Sequence, residues 1–377
     1  MQCDFFDAGR CRSCTLMGTP YAGQLANKAA LSADRLADAA PGLTWLEPCA
    51  SAESHYRNKA KLVVAGRAGQ PTFGILDDRG RGVDLRGCGL YEPGLAATFD
   101  PLHRFVSDLG IEPYDVPARQ GELKHVIVTH SPAGEQLVRF VVRSRESVDL
   151  LRRALPALLT SVPTARVVTA NILPEHKAVL EGDIEVALTE QVLMRMPVGE
   201  VTLLLGPRAF FQTNTAVAAD LYRQAVTWAD TAHARTVWDL YCGVGGFALH
   251  LATDHRRVIG VETSEEAIDA ARASHHLTSS QHGSGTVEFI VGDVTRDLPP
   301  GPQPDLVVVN PPRRGIGERL AAWLDSSTAT HLIYSSCNIE SLRRDLVAMP
   351  TWHASEARLF DMFPQTTHQE VMVLLQR

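Results

Sequence analysis

The chain lacks the features that would place a protein in a membrane or outside the cell. No apolar run approaches the roughly 20 residues of a membrane span. The first residues are polar, with Asp4 and Asp7 where a signal peptide would be basic and then apolar. An excess of positive charge is missing too: the formal charge of −7 argues against a protein that coats nucleic acid indiscriminately, and leaves room for a local basic groove. Nor is there an even set of cysteines. Seven are present, Cys3, Cys11, Cys14, Cys49, Cys88, Cys242 and Cys337, and this odd count speaks against a disulfide framework and for ligands or reactive thiols. The expectation is a soluble, cytoplasmic protein. At 377 residues, 45% hydrophobic and 21% charged, it has ordinary globular composition and length enough for two domains.

What is present begins at the N-terminus with Cys3-x7-Cys11-x2-Cys14. Packing alone does not explain a chelating C-x2-C pair, and Gly9 and Ser13 suit a loop wrapped around a metal. Cys88, between Gly87 and Gly89 in a turn-like stretch, is the better fourth ligand; Cys49, after Pro48 beside an apolar segment, reads as a small buried hydrophobe. Four thiolates suit zinc or an iron–sulfur cluster, and the absence of a second C-x2-C tilts the choice to the cluster.

A helix is predicted over about 24–39. The stretch from His55 to Val64 then alternates, so that strand period puts Arg57, Lys59 and Lys61 on one face, as phosphate contacts or as a lysine-guarded strand edge. Residues 69–89 read as turn-rich. Helices are predicted over 95–109 and 147–159, with strands at 124–129, 136–142, 167–172, 184–188 and 201–205. This α+β region, residues 1–205, has neither repeats nor low complexity and looks like a substrate-binding domain. Residues 206–214 form the hinge, where Asn214 or Thr213 caps the next helix.

From Thr236 the pattern becomes strand–helix alternation, the mark of a Rossmann-like unit spanning 206–377. Its centre is Asp239-Leu240-Tyr241-Cys242-Gly243-Val244-Gly245-Gly246, a strand running into a glycine-rich turn that lets backbone amides approach a ligand. The next strand ends in Glu262, about 20 residues on, where such units place the acid that grips ribose hydroxyls. Thr263-x-x-Glu266 reads as a capping box for the following helix. Further strands are expected at 287–291, 306–310 and 331–335, then two more at 354–360 and 371–375 joined through a turn-rich tip. A terminal hairpin after a five-stranded α/β unit is typical of methyltransferase sheets.

Two strand ends carry the distinctive chemistry. Asn310-Pro311-Pro312 resembles the motif of enzymes that methylate amino groups, but Arg313 stands where those place a stacking aromatic. Cys337, in Ser335-Ser336-Cys337-Asn338, suggests another route. A pyrimidine C5 becomes nucleophilic enough to take a methyl group once a thiolate has added to C6, and a base must then remove the C5 proton. Nearby amides and Arg313 or Arg314 are expected to lower the Cys337 pKa. The bland alternative is a buried strand-end cysteine. For the base, Glu370 is preferred over His368, both at the start of the last strand.

These stretches together, with Arg57-Asn58-Lys59 and Phe211-Gln212-Thr213-Asn214, resemble the RNA uracil-C5 methyltransferases nearly end to end, most of all the branch acting on 23S ribosomal RNA. The resemblance implies S-adenosyl-L-methionine as methyl donor and a [4Fe-4S] cluster. It implies Cys3, Cys11, Cys14 and Cys88 as cluster ligands and Gln212, Tyr241, Glu262 and Asn310 as donor contacts, with Cys337 as nucleophile and Glu370 as general base. It further implies a single-stranded RNA loop with a flipped uridine as substrate, no membrane partner, and action as a monomer. The chain starts directly at the cysteine motif, as in the branch without an N-terminal RNA-binding β-barrel, and Asn310 stands where many relatives carry aspartate. The rivals are an RNA cytosine-C5 methyltransferase, whose usual second cysteine is missing from the fourth-strand motif, and a non-catalytic RNA-binding iron–sulfur protein. A radical enzyme would carry C-x3-C-x2-C.

Overall fold

A computed structural model describes residues 1–177, 179–282, 286–296 and 303–377. The chain divides into two compact units, one formed by Met1–Met17 with Glu53–Met196 and the other by Gly18–Ala52 with Pro197–Arg377. The sequence reading places a single break at residues 205 and 206; in the structure the second unit resumes at Pro197, and it also takes the segment Gly18–Ala52. The cause is the helix Tyr21–Leu36, which reads as an ordinary amphipathic helix but buries Lys28 and Gln24. Lys28 Nζ donates to Asp361 Oδ1 at 2.7 Å and Gln24 Nε2 to Gln365 Oε1 at 2.9 Å, so the helix belongs with the C-terminal segment.

The first unit is α+β, as expected. Its seven-stranded sheet runs Gly82–Asp84, Gln70–Leu76, Lys59–Arg67, Leu123–His130, Gln136–Val142, Ala165–Ile172, Ile184–Ala187. Neighbours are antiparallel except Gln136–Val142 and Ala165–Ile172, which are parallel and joined through the helix Arg145–Ser161. That helix and Pro93–Leu109 supply Leu95, Phe99, Leu102, Val148 and Leu151 to a core shared with Leu62, Val126 and Phe140. The stretch read as turn-rich contains the strand Gln70–Leu76. Pro71 and Gly74 hide it from a propensity reading, yet Phe73 is fully buried. Asn58, Ala60 and Leu62 are buried, whereas Arg57, Lys59 and Lys61 take the other, more open face predicted from strand period.

The second unit carries an eight-stranded sheet: Thr44–Trp45, His353–Phe360, Glu370–Gln376, His331–Ser336, Leu306–Val309, Thr236–Leu240, Arg257–Glu262, Val287–Val291. The last five are mutually parallel; an inner one, Leu306–Val309, is buried and apolar throughout, as a strand covered on both faces must be, whereas the edge strand Val287–Val291 is partly exposed. Glu370–Gln376 lies antiparallel between His331–Ser336 and His353–Phe360, which is the predicted terminal hairpin. Asn214 caps the helix Thr215–Thr231 by accepting from Val217 N, one of the two caps expected. The capping box at Thr263 is not formed. Thr263 Oγ1 donates to Glu262 instead, and Ser264 Oγ accepts from Ala267 N at 3.3 Å, one position later.

Candidate active site

From Thr236–Leu240 the chain continues to a strand on one side of it, and from Leu306–Val309 to a strand on the other. The carboxyl ends of these two neighbours therefore bound a crevice, the place where open α/β sheets bind ligands. Tyr241, Gly243 and Gly245 all take positive φ (71°, 55° and 85°), which bends the chain sharply enough to start the helix Gly246–Leu251. Gly246 admits no side chain, because a Cβ there would meet the Tyr222 hydroxyl at 2.4 Å. Behind the loop, fully buried Asp239 accepts from Ala248 N at 2.9 Å, and burial together with the charge of Glu262 raises its carboxyl to about 7. Glu262 Oε1 accepts from Thr263 N, Thr263 Oγ1 and Ser264 N, and Oε2 from Gly243 N at 3.3 Å, so the acid also braces the glycine turn.

A cavity of about 570 Å³ opens in front of this loop, a size suited to a nucleoside-bearing ligand. It is lined by all six residues that the sequence assigns to donor binding and catalysis: Gln212, Tyr241, Glu262, Asn310, Cys337 and Glu370. Tyr222, from the helix Thr215–Thr231, lines it as well; the sequence reading missed this residue because a tyrosine on an amphipathic helix looks like core.

Cys337 follows His331–Ser336 in a turn that Asn338 secures. Asn338 Oδ1 accepts from Glu340 N, and its Nδ2 donates to Arg313 O at 2.8 Å, tying this turn to the Asn310–Gly315 loop. The Cys337 pKa is raised, not lowered as the sequence suggests. Burial comes first and the Glu370 carboxylate second, and together they outweigh Arg313, which acts in the opposite direction by charge and hydrogen bond. Glu370 is only 2% exposed and its carboxyl is pushed by burial up to about 7, opposed by a hydrogen bond from Ser335. A protonated Glu370 would relieve one of the two influences that raise Cys337. His368, the alternative base, is exposed, lies outside the cavity lining and approaches Arg313 Nη2 at 3.4 Å. Lys28 Nζ, besides its bond to Asp361, donates to the backbone carbonyls of Phe363 and His368, so a buried ammonium holds the tip that leads into Glu370.

In the first unit, Cys3, Cys11, Cys14 and Cys88 line one cavity of about 210 Å³, with Arg57, Lys61 and Tyr91 in its wall. A short helix, Asp4–Asp7, lies between Cys3 and Cys11, where the sequence suggests only a loop. Burial first, and then the charges of Cys88, Cys11 and Cys3, push the Cys14 thiol up to about 11, while Arg57 pulls the other way. Cys49 is buried elsewhere, as its reading as a packed residue requires, but it is not simply a hydrophobe, since its thiol donates to Asp220 Oδ2 at 3.3 Å. Among the described residues, no group of three or more histidine, cysteine, aspartate or glutamate side chains is placed to hold a metal ion. Lys59, half-buried beside Lys61 and Arg139, has its ammonium lowered to about 8, chiefly by burial. Among the described residues, no helix is long and apolar enough to cross a membrane.

Comparison with known proteins agrees with this geometry. Residues 303–377 match the family model for tRNA (Uracil-5-)-methyltransferase, and residues 237–313 match a methyltransferase domain. The tRNA (uracil-54, C5)-methyltransferase of Pyrococcus abyssi, solved in complex with S-adenosyl-L-homocysteine, shares the fold with a TM-score of 0.79 at 24% identity, over 96% of this chain and 85% of that one. The 23S rRNA (uracil(747)-C(5))-methyltransferase RlmC of Serratia proteamaculans is 43% identical over the full length of both chains. Its counterpart from Halothiobacillus neapolitanus is 45% identical, again over all of both. With that identity along its whole length, the chain belongs to the RlmC family of 23S rRNA uracil-C5 methyltransferases.

Proposed function

We propose that the protein methylates C5 of a uridine in 23S ribosomal RNA, of the position-747 type, by covalent catalysis at Cys337. The observation that carries this reading is the convergence of Cys337 and Glu370 on the cavity that also holds the glycine loop, Glu262 and Asn310. That cavity fits S-adenosyl-L-methionine: Glu262 would take the ribose hydroxyls, and Gln212, Tyr241 and Asn310 would contact the rest of the donor. Bound there, the donor supplies an electrophilic methyl group on a sulfonium sulfur.

The Cys337 thiolate forms a bond to C6 of the uracil, and the C5–C6 π electrons move toward C5 and the O4 enolate. C5 then takes the methyl group, whose bond to the donor sulfur breaks with its electron pair left on sulfur, giving the neutral thioether S-adenosyl-L-homocysteine. Glu370 as carboxylate accepts the C5 proton, the C–H electron pair re-forms the C5–C6 double bond, and Sγ leaves as thiolate. The target is a uridine flipped out of a single-stranded loop, since a stacked base would not reach a cavity with both side chains in its wall. Arg57, Lys59 and Lys61 supply phosphate contacts on the more open face of the first sheet. The enzyme acts as a cytoplasmic monomer.

The four-cysteine cavity holds a [4Fe-4S] cluster in this reading, with Cys3, Cys11, Cys14 and Cys88 as its thiolate ligands. The support is that these four of the seven cysteines line a single cavity. A polynuclear cluster takes its ligands around a body several ångströms across, so it does not need the tight grouping of a single-ion site. The cluster has no redox task here. It ties the N-terminal turn to Cys88.

Single-turnover assays on 23S RNA fragments tritiated at uracil C5 test the mechanism. Glu370→Gln is expected to accumulate a protein–RNA adduct that survives denaturing electrophoresis; tritium release that persists in Cys337→Ala rules out the covalent route. Anaerobically purified protein should be brown with matching iron and sulfide, and colourless protein with stoichiometric zinc rules out the cluster.

A further inference from the structure

The register of the terminal hairpin brings a third side chain to the catalytic pair. Ser335 pairs with Met372 across the antiparallel strands, and directly paired residues point to the same face. Glu370 stands two residues before Met372, so it shares that face and lies diagonally across from Ser335, within reach of a side-chain contact. The contact is made: Ser335 Oγ donates to Glu370 Oε1 at 2.5 Å. Both residues are buried, at 0% and 2% exposure, among Leu332, Ile333, Tyr334, Val371 and Val373. Ser336 points the other way and spends its hydroxyl on Asn338 O. Strand period puts Cys337, two positions after Ser335, back on the side of Glu370, and both line the cavity.

We propose that Ser335 is a positioning residue for the proton-removal step: its hydroxyl pins one carboxylate oxygen of Glu370 and leaves the other to meet the C5 proton of the methylated ring. The inference rests on the reading of Glu370 as the base. A hydroxyl that donates to the carboxylate favours the charged, basic form, and so opposes the burial that favours the protonated one. Without it, Glu370 would hold its proton to higher pH and its free oxygen would lose its aim. Other polar groups near this corner are Cys337 from the same turn, Tyr222 from the helix Thr215–Thr231, Gln212 and Asn310 in the cavity wall, and Arg313 with His368 at the mouth. Lys28 and Asp361 stand behind the tip as an ion pair. The hydrogen bond to Glu370 Oε1 comes from Ser335.

The test separates methyl transfer from proton loss in one turnover, across pH. S-adenosyl-L-homocysteine release reports the first and tritium release from C5 the second. In Ser335→Ala the release of S-adenosyl-L-homocysteine should persist, which also shows the variant is folded. Tritium release should fall roughly tenfold near pH 7, with its acid limb displaced upward by about one pH unit and the methylated adduct accumulating. Ser335→Thr, which keeps the hydroxyl, should return the limb toward its original position. An unshifted limb in Ser335→Ala overturns the proposal, and so does an equal loss at every pH in both variants. The adduct in Glu370→Gln keeps the two readings apart. If Glu370→Gln traps adduct while Ser335→Ala leaves the profile unmoved, only the role of Ser335 fails; if Glu370→Gln traps none, the base assignment itself fails.

Discussion

Two cavities in this molecule are built around cysteine, and they use it differently. In the larger, Cys337 stands beside a carboxylate and within reach of a guanidinium, at the end of a parallel strand. In the smaller, Cys14 faces three other thiols brought in by a turn at Cys88 and a short helical segment at Asp4–Asp7. Both thiols are raised by burial, and so are those of Cys49 and Cys242. A perturbed thiol is therefore no guide to its use. The neighbours are: an acid that can take a proton makes a thiol a candidate nucleophile, whereas three more thiols make it a candidate ligand.

The sharpest way to break that contrast is to remove one sulfur from each cavity. Cys337→Ala should lower methyl transfer by about 10⁴-fold or more, as loss of a covalent nucleophile does, while iron and sulfide content stay at the wild-type level; colour lost together with activity would mean that the two cavities are not functionally distinct. Cys14→Ser should do the reverse, losing the iron while S-adenosyl-L-homocysteine still binds in calorimetry. A third substitution asks how far the larger cavity depends on its support. Lys28→Met strands Asp361 at 0% exposure without its partner, and should lower stability by about 3–5 kcal/mol in denaturant titration. A weakened but folded variant should also lose activity, because Phe363 and His368 lose the ammonium that holds their carbonyls.

The smallest effect is a pH dependence of stability. Glu370 and Asp239 are both raised to about 7 in the folded state, above their ordinary values of 4.5 and 3.8. The folded protein thus binds more protons than the unfolded chain between about pH 4 and pH 7, and the contribution of both groups to stability falls as pH rises through that window. Glu370→Gln should remove its share of the slope, seen as a flatter difference in unfolding free energy between pH 5 and pH 8. A difference that grows steeper would reverse the sign argued here.

Much of this was legible before any coordinates. Buried parallel strands are apolar runs, so Thr236–Leu240 and Leu306–Val309 stand out, and the glycine turn after the first of them names the ligand edge. Glu262, Cys337 and Glu370 stand out from their places at strand ends, whereas Gln212, Tyr241 and Asn310 are named as donor contacts only through the family resemblance. What escaped did so for identifiable reasons. Lys28 on an amphipathic helix reads as solvated until Asp361 is seen to face it from 333 residues away. Ser335 reads as a polar strand-end residue, and the period of two that puts it on the same face as Cys337 gains meaning only once Glu370 is seen across the hairpin. The Cys337 shift was misjudged because the sequence displays Arg313 and Arg314 in the next motif, while the opposing Glu370 arrives only through the register of the hairpin.

The pairing of Lys28 with Asp361 also bears on how the chain is made. The helix Tyr21–Leu36 leaves the ribosome well ahead of the aspartate that neutralises its buried lysine, which is made 333 residues after that lysine. The first unit, whose segments end at Met196, can settle well before that. The second must keep an early helix waiting for the last strands, so its folding is dominated by long-range closure and should be the slower of the two. A nascent chain stalled short of Asp361 would carry a finished first unit and a methyltransferase unit not yet able to close.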